Sequence, residues 1–171
     1  YNQGMGSIAE RDSQPHVSCV RFTPDGKYLC SIDLGLDYIK VFRVNYDTGK
    51  LSVAQILHCN MQSAPHQMVF SKDGRFLYVI CQMSNSVSVY SYSDEGNNPQ
   101  FTLLQSLPTV GKRSLSSSVT KALHLDITSD DRHLFYSSAG DNCIGMYDRD
   151  PETGLLTHRF SLPISGRFPK D

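Results

Sequence analysis

The sequence has no excess of charge of either sign and no long apolar run, and both absences exclude classes of protein. Its 171 residues include 16 Lys and Arg against 17 Asp and Glu, which gives a formal net charge of −1 at pH 7. The basic residues are scattered rather than clustered, so we expect no nucleic-acid partner. No apolar stretch approaches the roughly 20 residues that a membrane-spanning helix requires. We therefore expect no membrane partner either.

Signatures of targeting, disulfide, metal and nucleotide chemistry are also missing. The opening stretch is polar, without the apolar core of a signal peptide, and it begins with Tyr1 rather than Met, so we expect the encoded N terminus to lie elsewhere. The odd number of cysteines, without a Cys-x-x-Cys pair, indicates small buried side chains in a reducing compartment. Neither a glycine-rich strand-to-helix loop nor a Ser nucleophile elbow is present. We predict a cytoplasmic location, no metal and no cofactor.

One eight-residue pattern occurs three times along the chain. Residues 22–29 (FTPDGKYL) recur as residues 70–77 (FSKDGRFL), a shift of 48, and again as residues 127–134 (ITSDDRHL), a further shift of 57. The polar, Ser-rich stretch 111–120 accounts for the longer second spacing. Self-similarity at this spacing indicates repeated structural units.

Each unit is predicted to contain four short strands. Apolar residues alternate with polar ones, and turn signals fall about every ten residues. In the first unit we predict strands at about 17–22, 28–32, 38–44 and 51–58, joined in part by Pro-Asp-Gly and Asp-Thr-Gly turns. No segment carries a helical stripe. Tandem units of four strands are typical of the blades of a β-propeller.

Three such blades form only part of a propeller, because propellers close into rings of roughly 4 to 8 blades. The sequence thus predicts an all-β partial propeller of four-stranded antiparallel blades over the whole chain. The outer faces of the first and last blades would be covered by missing blades of the full-length chain or by self-association. The predicted blades span about 16–61, 64–110 and 121–165, with loops at 1–15 and 111–120.

The order of strands determines which loops share a face. Strands of a blade run antiparallel, so the loop entering the first strand and the loop after the second strand emerge at one end, and the turns emerge at the other. At the first end the sequence places varied polar residues, among them 15–18, 65–67 and 121–124. The first strand of each blade lines the central channel. We therefore expect any functional site at this channel mouth.

Several short motifs follow one another along the chain. They are Gly4-Met5-Gly6-Ser7, Glu10-Arg11, Pro15-His16, residues 22–29, Asp33-Leu34-Gly35-Leu36-Asp37, Ala64-Pro65-His66-Gln67 and Gly166-Arg167-Phe168-Pro169-Lys170-Asp171. In this order they resemble the motifs of the lactonase-type seven-bladed β-propellers, the 6-phosphogluconolactonase-like family. The resemblance covers essentially the whole chain, and its Asp-Leu-Gly element is more specific than a Pro-Asp-Gly repeat.

The resemblance implies a sugar-lactone hydrolase that needs no cofactor and takes a small sugar lactone or a related anionic ligand. Such hydrolysis requires a base to activate water and cations to hold negative charge. His16 and His66 are the predicted catalytic bases, because an imidazole ordinarily titrates near pH ~6.5. The predicted substrate-binding residues are Arg11, Asp33, Gln67, Gln82, His124 and Lys170.

Departures from the family pattern leave a second hypothesis open. The departures are Ser18 for a histidine, His66 for an arginine, Gln67 for a histidine, Gln82 for a glutamate, Ala139 for an arginine and Lys170 for an arginine of the family pattern. These changes favour a non-catalytic propeller that binds a small ligand or a protein partner at the mouth. In that case the two predicted bases would bond backbone groups at the mouth, and the carboxylates around Gly35 would cap turn amides.

Overall fold

The computed structural model describes six segments of the chain, residues 17–33, 36–59, 64–82, 84–109, 123–138 and 143–163. Within these segments twelve strands form three antiparallel sheets of four strands, and none of the described residues is helical. The predicted all-β class and the four-stranded blades are confirmed. The predicted loops at 1–15 and 111–120 lie outside the described segments.

Strands follow one another in chain order within each sheet, and the first strands of neighbouring blades contact one another, which makes them the inner strands. In the first blade the observed strands agree with the predicted ones to within one residue at each end. The strands are β1 (Val17–Phe22), β2 (Tyr28–Asp33), β3 (Tyr38–Asn45), β4 (Lys50–His58), β5 (Pro65–Phe70), β6 (Phe76–Cys81), β7 (Ser86–Asp94), β8 (Pro99–Pro108), β9 (Leu123–Ile127), β10 (His133–Ser138), β11 (Cys143–Arg149) and β12 (Leu156–Pro163).

The hydrophobic core lies between blades rather than within one of them. Side chains alternate across a strand, so every second residue faces the next blade and the others face the previous one. Tyr28, Cys30 and Ile32 of β2 are buried in one cluster with Leu77 and Val79 of β6. A second cluster joins the opposite face of the second blade to the third blade. Each blade therefore needs its neighbours to bury its apolar side chains.

Antiparallel pairing gives every blade a mouth end and a turn end. Val17 at the start of β1 pairs with Asp33 at the end of β2, and Tyr38 at the start of β3 pairs with His58 at the end of β4. These ends form the mouth end. The turns that join β1 to β2 and β3 to β4 lie together at the other end, where the Tyr46 hydroxyl donates to the Gly26 carbonyl at 2.6 Å.

The repeated pattern forms the same turn in all three blades. In the first turn the Oδ1 atom of Asp25 accepts hydrogen bonds from the Thr23 hydroxyl at 2.7 Å and from the Lys27 amide at 3.0 Å. Asp73 and Asp130 make the equivalent bonds in the second and third turns. This shared geometry explains why the pattern recurs in the sequence.

Candidate functional site

The structure describes five of the eight predicted site residues, and all five lie at the mouth end or in the first residues of an inner strand. Arg11, His16 and Lys170 lie outside the described residues, so their predicted roles stay predictions. The five described residues are Asp33, His66, Gln67, Gln82 and His124.

His66 lies in a β-bulge at the start of the inner strand β5. Pro65 pairs with Cys81 and Gln67 pairs with Ile80, so His66 is the extra residue that the bulge inserts into β5. Bulges redirect a side chain and recur next to functional sites. The first blade has the same irregularity between Val17 and Cys19. The bulge is thus a feature of the mouth that two blades share.

The environment of His66 favours its neutral form. The residue is half-buried, and desolvation lowers the pKa of its imidazole below the ordinary value of 6.5. A neutral imidazole can accept a proton, whereas a protonated one cannot. Near neutral pH, His66 is therefore in the state that a general base requires.

Asp37 fixes the chain where it enters the second blade. Its Oδ1 atom accepts a hydrogen bond from the Ala64 amide at 3.0 Å, and its carbonyl accepts one from the Cys59 amide at 2.9 Å. The Ala64 carbonyl in turn accepts a bond from the Gln82 amide at 2.9 Å. Asp37 thus caps backbone amides, and it places the backbone of Gln82 beside the residues that precede His66.

Asp33 presents a carboxylate oxygen that no described residue satisfies. It ends β2 opposite Val17, and its Oδ1 atom is buried without a hydrogen-bond donor among the described residues. A buried carboxylate oxygen without a donor is costly, so such an atom calls for a donor from outside the described segments. Asp33 is therefore suited to accept a hydrogen bond at the mouth.

Gln67 and His124 occupy equivalent positions in neighbouring blades. Gln67 follows the bulge and pairs with Ile80, and His124 pairs with Ser137 near the start of β9. Their inner strands lie side by side. Gln67 is half-buried and His124 is exposed. The fold therefore brings the predicted residues of the second and third blades to the same level of the mouth.

Neither the β-bulge at His66 nor the hydrogen bond from the Ala64 amide to Asp37 was predicted from the sequence. No residue type signals the bulge, since its extra residue is Ser18 in the first blade and His66 in the second. The sequence offered one clue to the shared bulge, because the shift of 48 residues between the first two repeats aligns these two positions. The hydrogen bond between Asp37 and Ala64 joins two blades, and its two residues are 27 positions apart in the chain.

Residues 1–171 match the family described as Lactonase, 7-bladed beta-propeller. The chain belongs to this lactonase family. Its resemblance to 6-phosphogluconolactonase-like propellers, inferred from the motifs, is thereby confirmed.

Curated relatives and solved structures agree with this assignment. An uncharacterized protein of Staphylococcus aureus strain USA300 is 30% identical over 165 residues, which are 95% of this chain and 45% of the relative. The periplasmic gluconolactonase PpgL of Pseudomonas aeruginosa is 27% identical with a TM-score of 0.74, covering 92% of this chain and 43% of that one. A candidate 6-phosphogluconolactonase of Bacteroides uniformis is 25% identical with a TM-score of 0.76, covering 98% and 46%. The lactonase chain thus spans about half the length of the relatives it matches.

The cysteines of this lactonase chain are packing residues. None of the five forms a disulfide, and Cys19, Cys30 and Cys81 are buried. Burial raises the pKa of the Cys30 thiol to about 12, which keeps it protonated and unreactive. The described segments contain no group of three or more His, Cys, Asp or Glu side chains that could hold a metal ion.

The cytoplasmic location of the protein stays a prediction. Among the described residues no helix is long and apolar enough to cross a membrane. The similar protein of P. aeruginosa is named as periplasmic, whereas the sequence of this chain led us to expect the cytoplasm.

Proposed function

We propose that this chain forms part of a sugar-lactone hydrolase in which His66 acts as general base. The observation that carries the proposal is the half-buried imidazole in the bulge of β5, whose pKa is lowered by desolvation. Membership of the lactonase family and the similarity to PpgL and to the B. uniformis protein support the reaction class.

In the proposed reaction a water molecule attacks the carbonyl carbon of the lactone while His66 takes its proton. The carbonyl becomes a tetrahedral oxyanion, which needs positive charge or hydrogen-bond donors nearby. Collapse of this intermediate breaks the ring carbon–oxygen bond, and the imidazolium returns the proton to the departing alkoxide. The product is the open-chain hydroxy acid, so atoms and charge balance without a cofactor.

The remaining predicted residues suit a polyhydroxylated, anionic substrate. Asp33 supplies a carboxylate oxygen to accept a bond from a sugar hydroxyl, and Gln67 and Gln82 carry amides that both donate and accept. We propose that Lys170 and Arg11 hold the oxyanion or an acidic group of the substrate. His124 would add a polar contact from the third blade, and His16 would be a second base.

A second candidate function is ligand or protein binding without catalysis. Gln82 favours it, because an amide stands where the family has a carboxylate and cannot accept a proton. In this case Asp33 and Gln67 would bind a ligand, and His66 would only form part of the surface of the mouth without taking a proton.

A hydrolysis assay on the protein expressed from its complete reading frame separates the two functions. We expect turnover of 6-phosphogluconolactone or gluconolactone above the spontaneous rate, and a loss of about 10²–10⁴ in kcat for His66→Ala. His158→Ala is the matched control, because His158 is exposed on the outer strand β12 and should leave the rate unchanged. Binding of the lactone without any acceleration would favour the second function.

A further inference from the structure

One residue, Asp37, holds both ends of the connection between the first and second blades. Its carbonyl accepts a hydrogen bond from the amide of Cys59, directly after β4, and its Oδ1 atom accepts one from the amide of Ala64, directly before β5. The carbonyl bond recurs in the second blade, where the carbonyl of the equivalent residue Asn85 accepts from the Thr109 amide at 2.9 Å. The carbonyl bond therefore belongs to the blade repeat, whereas the bond to Ala64 depends on the Asp37 side chain.

Ala64 has a backbone conformation that alanine rarely adopts. Its φ is 53°, in the left-handed region, where a Cβ atom makes unfavourable contacts with the backbone. Such a conformation persists only where the surrounding structure holds it, and residues of this kind are concentrated at functional sites. Here the Ala64 amide donates to Asp37 at 3.0 Å, and the Ala64 carbonyl accepts from the Gln82 amide at 2.9 Å. These two hydrogen bonds, one from each blade, form the Ala64 clamp.

The Ala64 clamp lies immediately before the bulge that contains His66. Pro65 is buried and pairs with Cys81, and His66 is the extra residue that follows it. Because only Pro65 separates the two residues, the backbone angles of Ala64 set the direction in which β5 begins. A change of Ala64 to a relaxed conformation would therefore move the bulge and the imidazole with it.

We propose that Asp37 is a positioning residue for His66: its carboxylate keeps Ala64 in the left-handed conformation and thereby fixes the bulge that carries the imidazole. The effect on reaction rate rests on the proposed role of His66 as general base, whereas the effect on the imidazole itself does not. Asp37 acts through the backbone of Ala64 and Pro65. A base must be held close to the water that it activates, so its displacement lowers kcat more than it weakens substrate binding.

Three variants of the protein expressed from its complete reading frame test the role of the carboxylate. Asp37→Ala removes the acceptor of the Ala64 amide, whereas Asp37→Asn removes the charge but keeps a side-chain oxygen that can accept the bond. Asp47→Ala is the matched control, because Asp47 is an exposed aspartate at the turn end. We expect Asp37→Ala to lower kcat by about 10- to 100-fold with KM within about twofold of the parent. Asp37→Asn should keep most of the activity, and Asp47→Ala should keep all of it.

A second substitution distinguishes positioning from direct contact with the substrate. Glycine adopts the left-handed conformation without steric cost, so Ala64→Gly reduces the need for the clamp. In the Asp37→Ala background it should recover part of the lost kcat. If Asp37→Ala does not fold, Ala64→Val replaces it, because a β-branched side chain makes the same conformation more costly while Asp37 stays in place. Ala64→Val should then lower kcat in the same way.

The titration of His66, followed by NMR, measures the position of the imidazole whether or not the protein turns over a lactone. Burial lowers the pKa of His66, so release of the clamp should expose the ring and raise the pKa towards 6.5. We expect this change in Asp37→Ala and not in Asp37→Asn or Asp47→Ala. The resonance of His66 is identified by its loss in His66→Ala.

The outcomes separate this proposal from the proposed function. If His66→Ala leaves kcat unchanged while Asp37→Ala still raises the pKa of His66, Asp37 positions the imidazole but His66 is not the base. If His66→Ala lowers kcat and Asp37→Ala changes neither kcat nor the pKa of His66, the base stands and the positioning role is wrong. An equal loss of kcat in Asp37→Ala and Asp37→Asn, or no recovery by Ala64→Gly, would also overturn the positioning role.

Discussion

Arg149 of the third blade and Asp73 of the second blade form an ion pair across the blade junction, with 3.2 Å between Nη2 and Oδ2. The Arg149 side chain is fully buried, and its Nε also donates to the Tyr78 hydroxyl at 2.7 Å. Its Nη1 reaches both the carbonyl and the carboxylate of Asp131. One guanidinium therefore connects two turns and two blades.

We predict that Arg149→Leu lowers the free energy of unfolding by about 3 kcal/mol, because it leaves two carboxylates at the junction without their cation. Arg75→Leu is the control, since Arg75 is exposed and its loss should cost less than about 1 kcal/mol. Urea unfolding of the full-length protein measures both. An equal decrease in the free energy of unfolding for the two substitutions would show that the buried ion pair stabilises the fold no more than the exposed arginine does.

The same junction makes stability sensitive to acid. Burial raises the pKa of Asp73, but hydrogen bonds from Ser71, from the Arg75 amide and from Arg149 outweigh it and hold the pKa below the ordinary value of 3.8. The folded state thus favours the ionised form, so this stabilisation is present above pH ~3.8 and is lost as the pH falls further. We expect Asp73→Asn to weaken the dependence of Tm on pH between pH 5 and 3. An unchanged dependence would contradict the prediction.

Gly145 is required by its neighbour Tyr136, whose ring occupies the space that a Cβ atom at Gly145 would need. Equivalent positions in the other blades hold Lys40 and Ser88, so the backbone itself admits a side chain. We predict that Gly145→Ala lowers the free energy of unfolding by about 1–3 kcal/mol through overpacking. Ser88→Ala should have little effect, and Tyr136→Leu should recover part of the loss. If Tyr136→Leu recovered none of the lost free energy of unfolding, the Tyr136 ring would not be the cause of the loss.

The proposed base predicts the pH dependence of activity. Because desolvation lowers the pKa of His66 below 6.5, the imidazole stays neutral down to more acidic pH than an ordinary histidine. We expect kcat/KM, corrected for spontaneous hydrolysis, to stay level down to about pH 6.5 and to fall below it. An NMR titration of His66 should give a pKa in the same range. A decline that begins above pH 7 would indicate a different base.

The outer face of the first blade should make this three-blade chain associate when it is prepared alone. Val20, Phe22, Val53 and Ile56 on this face are between 38% and 53% exposed. Burial of apolar surface contributes roughly 25 cal/mol per Å², so such a face favours contact with any apolar partner. We expect sedimentation to show association that Phe22→Ser reduces. A monomer at high concentration would contradict this expectation.

Much of the fold followed from local patterns in the sequence. Alternation and turn residues placed the strands of the first blade to within a residue, since each strand must turn one face to a neighbouring blade and its turns need Asp and Gly. The third turn contains contacts that these local patterns did not predict. There Asp131 takes the left-handed conformation with a φ of 65°, and its carboxylate accepts bonds from the amides of Lys72 and Asp73.

The sequence by itself determined the repeat, the all-β class and the family, because these depend on residue type and on spacing along the chain. Only the tertiary structure decided that His66 lies in a bulge, that Asp37 holds the entry to the second blade and that Arg149 is buried between two turns. These features join residues that are 27 to 76 positions apart or depend on strand register. Local patterns carry no information on such contacts, since each contact depends on how neighbouring blades pack.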